Sequence, residues 1–94
     1  MAKSILQTEH NCFICGSQRW LEEHHIFGAG CRKLSEKYGL KVYLCHNCHN
    51  EPPNGVHFNA ENSNELKAHA QEVAMEHYGW SVDQFRQIFE KNYL

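Results

Sequence analysis

The sequence predicts a small α+β domain in which a two-stranded antiparallel β-hairpin is followed by C-terminal helices. The chain has 94 residues, which is the size of one small domain with a limited hydrophobic core. Two short segments, residues 18 to 27 and residues 41 to 45, have the density of apolar and aromatic residues typical of strands. From residue 60 onward, apolar residues recur at helical spacing.

The first half of the chain contains the predicted hairpin. Its strands are QRWLEEHHIF at 18 to 27 and KVYLC at 41 to 45. The intervening RKLSEKYG predicts a loop with one helical turn that Gly39 ends. After the second strand, Pro52 and Pro53 in NEPPNG exclude a helix through that segment.

The second half contains two predicted helices. The first runs from about Ala60 to His77 and is followed by Gly79, a residue suited to a helix C-terminus. The second follows Ser81, which forms a capping box with Gln84. The apolar residues expected to face the core are Leu66, Ala70, Val73, Ala74, Val82, Phe85, Ile88 and Phe89.

Four of the five cysteines form two CxxC pairs, CFIC and CHNC. Two residues between thiolates allow a tight turn to direct both sulfur atoms at one ion, and two such turns complete a tetrahedral site. The sequence therefore predicts a zinc domain whose structural Zn²⁺ is held by Cys12, Cys15, Cys45 and Cys48. The fifth, Cys31, lies in a glycine-flanked loop, where it is either a small loop residue or a reactive thiol.

The charge balance does not indicate a basic surface along the whole chain, since the formal net charge is −2. Five of the nine cationic residues nevertheless fall between residues 19 and 41, a segment that also contains the histidine pair. This cluster is either a nucleic-acid-binding surface or a solvated loop. Since the sequence shows no leader and no apolar run of ~20 residues, we expect a cytoplasmic protein that does not enter a membrane, with thiols kept reduced.

The neighbouring His24 and His25 lie at the end of the first predicted strand. Successive side chains on a strand point to opposite faces, so the two imidazoles are poorly placed to bind one ion together. They suit two tasks, in which one binds a metal ion and the other acts as a base toward a bound substrate. Two other histidines are candidates for the same centre: His49 directly follows Cys48, and His57 follows the Pro-Pro bend.

The order of these motifs resembles the HNH endonucleases with a ββα-metal (treble-clef) core, in particular the short phage and prophage branch. The resemblance rests on a CxxC, a strand ending in HHI, and a second strand running into LCxxCHN. The segments HHIFG, RKLSEKYGL, VYLC, VHF and the terminal KNYL also fit that branch. The resemblance implies one nuclease domain over residues 1 to 94, with a zinc-bound core at 10 to 58 and a helical extension at 59 to 94.

The resemblance also implies roles for individual residues. By position, His25 is the general base, and His24 and His49 bind a catalytic divalent ion (Mg²⁺, Mn²⁺, Ni²⁺ or Zn²⁺). His57 is then either a third ligand or a phosphate contact. The implied reaction is hydrolysis of DNA phosphodiester bonds by a one-metal mechanism, leaving 5′-phosphate and 3′-hydroxyl ends. The backbone phosphates of the DNA would be held by Arg32, Lys33 and Lys37.

One position departs from the family pattern. The asparagine that orients the base is replaced by Leu40 in one alignment and by Cys31 in the other. A thiol is a weak hydrogen-bonding group, so we expect the base to be held less firmly. Asn50, directly after His49, is an alternative candidate for the orienting residue.

Two other functions stay open from the sequence. The first is a non-catalytic zinc module that binds DNA or a protein, which would need the four cysteines but not the four histidines. The second is a redox or metal sensor that uses Cys31. The choice between monomer and homodimer is also open, and a role beside phage packaging proteins rests on family analogy alone.

Overall fold

A computed structural model of the chain describes residues 3 to 94, apart from the side chain of Ala29. It confirms a small α+β fold with one antiparallel hairpin and C-terminal helices. The elements are β1 (Leu21–His25), a 3-10 turn (Ala29–Cys31), α1 (Arg32–Tyr38), β2 (Lys41–Cys45), α2 (His46–Asn50), α3 (Ala60–Tyr78) and α4 (Val82–Phe89).

The hairpin pairs β1 and β2 in antiparallel register, with Leu21 opposite Cys45 and His25 opposite Lys41. The second strand has the predicted bounds. The first is shorter than the predicted 18 to 27, because Trp20 adopts a positive φ of 51° that interrupts the extended backbone. The pairing places the histidine pair at one end of the hairpin and Cys45 at the other.

The segment between the strands is more helical than predicted. Instead of one turn, α1 has seven residues, about two turns. As predicted, Gly39 ends it in the left-handed conformation, with φ of 72°. The buried Ser35 hydroxyl donates to the Phe27 carbonyl at 2.8 Å and accepts from the Phe27 N–H at 3.0 Å. These bonds fix α1 against the chain leaving β1.

The C-terminal helices begin and end close to the predicted residues. α3 is capped by Asn59, whose side chain accepts from the Asn62 N–H at 3.0 Å, and Gly79 ends it with φ of 69°. α4 has the predicted capping box between Ser81 and Gln84. No helix within residues 3 to 94 is both long enough and apolar enough to cross a membrane.

An aromatic cluster joins the C-terminal helices to the hairpin. The ring of the buried Phe27 lies 5.5 Å from Phe85, 4.8 Å from Phe89 and 5.0 Å from Tyr93, measured between centroids. Each fully buried aromatic side chain contributes about 2 to 3 kcal/mol of hydrophobic free energy. The cluster therefore fixes α4 and the C-terminal segment after it beside the end of β1 that carries the histidines.

Candidate metal centres and catalytic site

The four CxxC cysteines come together in one cluster, with their sulfur atoms within 4.8 Å of one another. Cys15 Sγ lies 3.6 Å from Cys45 Sγ. Four sulfur atoms at about 2.3 Å from a tetrahedral zinc are separated by about 3.8 Å, so this geometry is compatible with a structural zinc. The hairpin brings the pairs together, because the Phe13 N–H donates to the Tyr43 carbonyl at 2.8 Å and aligns the first CxxC beside β2.

The pKa values of two thiols in this cluster, Cys12 and Cys48, are shifted in opposite directions. Burial raises the pKa of Cys12, but backbone N–H groups of Cys15, Cys45 and Ile14 outweigh it and lower that pKa to about 6. Burial and the neighbouring sulfur atoms raise the pKa of Cys48 well above its usual range. Four adjacent thiolates repel one another without a cation between them, so the cluster is suited to a divalent ion with high affinity for sulfur.

Three of the predicted histidines form a second cluster. The ligand nitrogen atoms of His24, His49 and His57 lie within 4.8 Å of one another, and Nε2 of His49 is 2.8 Å from Nε2 of His57. Two nitrogen ligands at about 2.1 Å from one ion, at right angles, are about 3 Å apart. The three imidazoles can therefore hold one divalent ion.

A turn after α2 returns His57 to His49 despite the two prolines. The Val56 N–H donates to the Cys48 carbonyl at 2.9 Å and the His57 N–H to the His49 carbonyl at 3.2 Å. The turn is tight at Gly55, where an added Cβ would lie 2.7 Å from backbone atoms of Glu51. The backbone bonds place His57 beside α2, although it is eight residues from His49 in sequence.

A carboxylate orients the central imidazole of this cluster. Glu22 Oε1 lies 2.7 Å from His49 Nδ1, and the Asn50 amide donates to the same oxygen at 2.7 Å. A proton on Nδ1 leaves Nε2 of His49 free for a metal ion, which is the usual arrangement of a carboxylate behind a ligating histidine. The hydrogen bond with His49 lowers the pKa of Glu22, so the carboxylate stays ionised.

Two histidines of this cluster have lowered pKa values, which favours the neutral form that binds a metal ion. Burial, together with the charges of His49 and His57, lowers the pKa of His24 to about 3. Burial, followed by the charge of His49, also lowers the pKa of His57. Near neutral pH both imidazoles therefore have lone pairs available for coordination.

His25 points to the other face of β1, as predicted for neighbouring residues on a strand. Its side chain is 12% exposed, and Nε2 lies 3.5 Å from Glu36 Oε2 and 3.8 Å from Glu23 Oε1. Glu23, His25 and Glu36 form a third group that could hold a metal ion, but the Lys41 ammonium already lies 2.6 Å from the same Glu36 oxygen. The ion pair lowers the pKa of Glu36 and raises that of Lys41.

Both faces of the strand end open into one cleft of about 670 Å³. Its lining includes all four histidines of the predicted centre, His24, His25, His49 and His57. The charged residues of the lining, apart from histidines, are Glu23, Arg32 and Lys67. The cleft therefore brings together three histidines that could hold a metal ion, a separate imidazole and two cationic side chains.

The other predicted site residues are distributed around this cleft. Arg32 and Cys31 line it, whereas Lys33 and Lys37 are exposed on α1, one turn apart. Cys31 Sγ lies 3.9 Å from the Phe89 carbonyl, a weak contact. Asn50 lies on the metal-ligating side, bonded to Glu22 and 3.1 Å from His49 Nδ1.

Sequence reasoning missed three residues of this site: Glu22, Glu36 and Lys67. A signal for Glu22 was present, because alternation along β1 places Glu22 and His24 on one face and Glu23 and His25 on the other. Glu36 and Lys67 come from α1 and α3, and no local pattern indicates which residues of those helices face the strand end.

Comparisons of this chain with protein-family models, curated proteins and solved structures give no significant match.

Proposed function

We propose that this protein is a metal-dependent DNA endonuclease of the HNH type. The observation that carries the proposal is that one cleft contains both a group of three histidines that could hold a metal ion and a fourth histidine, His25, from the opposite face of β1. The order of β1, β2 and α2 supports a ββα-metal core, in which the second CxxC runs from Cys45, at the end of β2, into the first turn of α2. On this proposal the four cysteines hold a structural zinc that stabilises the core.

The residues of the cleft suit phosphodiester hydrolysis. His24, His49 and His57 would hold one divalent ion, which when bound neutralises charge on the phosphate and on the departing 3′ oxygen. His25 takes a proton from the attacking water, whose oxygen forms the new bond to phosphorus as the bond from phosphorus to the 3′ oxygen breaks. A solvent proton completes the 3′-hydroxyl, and the phosphate stays on the 5′ end. Arg32 lies in the lining of the cleft, where it can contact the backbone phosphate.

Glu36 supplies the support that the missing asparagine would give to the base. Its carboxylate lies 3.5 Å from His25 Nε2 and is itself held by Lys41 at 2.6 Å. A proton on Nε2 directed at Glu36 leaves Nδ1 of His25 to accept the proton from water. On the same grounds Asn50, bonded to Glu22, orients the metal-ligating side rather than the base.

The alternative is a non-catalytic zinc module, and metal stoichiometry separates the two functions. We expect purified protein to retain one tightly held zinc per chain and to bind a second, exchangeable divalent ion, measured by elemental analysis followed by Mn²⁺ titration. His24→Ala should weaken Mn²⁺ binding at the second site and leave the zinc content unchanged. Binding of zinc alone, with no Mn²⁺ uptake by the wild-type protein, would favour the binding module.

Glu22→Gln is expected to weaken Mn²⁺ binding by about 10- to 100-fold, because a neutral amide no longer fixes the His49 tautomer. Isothermal titration of zinc-loaded protein measures this change. Glu51→Gln is the matched control, since it makes the same substitution at an exposed carboxylate that contacts His46, outside the groups that could hold a metal ion. Equal affinities of the two variants for Mn²⁺ would contradict the role assigned to Glu22.

A further inference from the structure

One part of the cleft is formed by the C-terminal helical extension, outside the predicted metal-binding core. Ser63 and Lys67 of α3 both line it, together with Tyr93 from the segment after α4. Ser63 and Lys67 are four residues apart, so they lie on one face of the helix, one turn from each other. This face presents a hydroxyl and an ammonium group to the same space as the metal-ligating histidines.

The lysine on this face is supported by an aromatic ring. Its Nζ lies 5.5 Å from the centroid of Tyr93, within the range of a cation–π interaction. The Tyr93 ring is itself packed against Phe27, with centroids 5.0 Å apart. The ammonium group therefore lies over a ring that packs against the core, rather than extending freely into solvent.

A buried amide fixes the segment that carries this ring. Gln71, fully buried one turn after Lys67, accepts from the Tyr93 N–H at 2.7 Å and donates to the Asn92 side chain at 2.8 Å. Burying an amide is favourable only when its groups are paired, so these bonds specify how the end of the chain packs on α3. One face of α3 therefore contacts both the cleft, through Ser63 and Lys67, and the C-terminal segment, through Gln71.

Lys67 lines the same cleft as His24, His49 and His57, the three candidate metal ligands. A cation held near three metal ligands repels the ion that they bind, so it is unfavourable for metal binding alone. The position is favourable when an anion lies between the lysine and the metal ion.

We infer that Ser63 and Lys67 form a phosphate-binding subsite of the nuclease cleft, which holds a DNA backbone phosphate from the side of the C-terminal extension. The inference rests on the proposed function and deepens it, because it assigns substrate binding to the helices that follow the metal-binding core. The lysine supplies an ionic contact, and the serine hydroxyl donates a hydrogen bond to a phosphate oxygen. Arg32 of α1 contributes the other cationic side chain of the lining.

The test is the salt dependence of DNA binding, measured by fluorescence anisotropy of a short labelled duplex with zinc-loaded protein and no added divalent ion. Loss of one phosphate contact should weaken binding of Lys67→Gln about fivefold at physiological salt and reduce the slope of log K against log salt by about 0.9. Lys67→Arg should keep most of the affinity. Ser63→Ala should weaken binding by a smaller factor.

Lys91→Gln is the matched control. The Lys91 ammonium lies 5.2 Å from the centroid of the same Tyr93 ring, but the residue is exposed at the end of the chain, outside the lining of the cleft among the described residues. The two variants lose the same charge and the same kind of aromatic contact. A lower slope for Lys67→Gln than for Lys91→Gln, with thermal melts alike, supports the subsite.

Equal slopes for the two glutamine variants would overturn the subsite while leaving the proposed nuclease intact, provided that the wild-type protein binds and cleaves DNA. Failure of the wild-type protein to bind DNA would instead overturn the proposed function, and the subsite with it. An affinity of Lys67→Gln for Mn²⁺ at least equal to that of the wild type would show that the loss of DNA binding is not caused by loss of the metal site.

Discussion

Cys45→Ser is expected to unfold much of the domain. The sulfur of Cys45 lies 3.6 Å from that of Cys15, inside the four-cysteine cluster, and a serine hydroxyl is a poor zinc ligand. Zinc binding in small domains contributes on the order of 10 kcal/mol, comparable to the whole stability of about 5 to 15 kcal/mol of a typical domain. Circular dichroism melts and zinc content should both show the loss.

Cys31→Ser is the control for this variant, because it replaces a cysteine outside the cluster by the same residue. It should keep its zinc and melt cooperatively near the wild-type temperature. A Cys45→Ser protein with a native-like melt would refute the four-cysteine zinc site. Unfolding of Cys31→Ser alone would indicate instead that the fifth cysteine has the structural role.

His25→Ala is expected to reduce the DNA cleavage rate by about 10²- to 10⁴-fold, the usual contribution of a general base. The side chain lies on the strand face opposite His24, the proposed metal ligand, so its removal should leave zinc content, Mn²⁺ affinity and DNA affinity close to wild type. Single-turnover plasmid nicking at saturating Mn²⁺ measures the chemical step without a contribution from metal binding.

Two further variants serve as controls for His25→Ala. His24→Ala should lose activity through weaker Mn²⁺ binding, so that high Mn²⁺ concentrations restore part of its rate, whereas no concentration restores His25→Ala. His77→Ala, an exposed histidine at the end of α3, should cleave at the wild-type rate. Undiminished nicking by His25→Ala would exclude this imidazole as the base.

Local patterns predicted the elements well. The capping box at Ser81, the terminating Gly39 and Gly79, and the strand at Lys41–Cys45 all depend on residues close together in sequence. The predictions were wrong where the bounds of an element depend on tertiary contacts or on an unusual backbone conformation. α1 extends beyond one turn because its buried Ser35 bonds to the backbone of Phe27, and β1 is shorter because of the backbone at Trp20.

For the candidate site too, local patterns predicted some residues, while tertiary contacts determine the others. Alternation along a strand separates His24 from His25, and the position after Cys48 indicates His49. The return of His57 depends on backbone bonds to α2, and the position of Lys67 depends on how the C-terminal segment packs on α3, where the Tyr93 N–H donates to the Gln71 side chain. Gln71, which lies on the same helix face as Lys67, has a polar side chain that a hydrophobic pattern assigns to solvent although it is fully buried.

The central claim is that the histidine cleft hydrolyses DNA with a bound divalent ion, and cleavage of supercoiled plasmid tests it most directly. Purified protein is incubated with plasmid in the presence and absence of Mg²⁺, Mn²⁺ or Ni²⁺. We expect conversion to nicked or linear DNA only when a divalent ion is added, with 5′-phosphate ends that a ligase can reseal, and far less conversion by His25→Ala. Intact plasmid with every metal ion, from protein that is folded and loaded with zinc, would contradict the nuclease function.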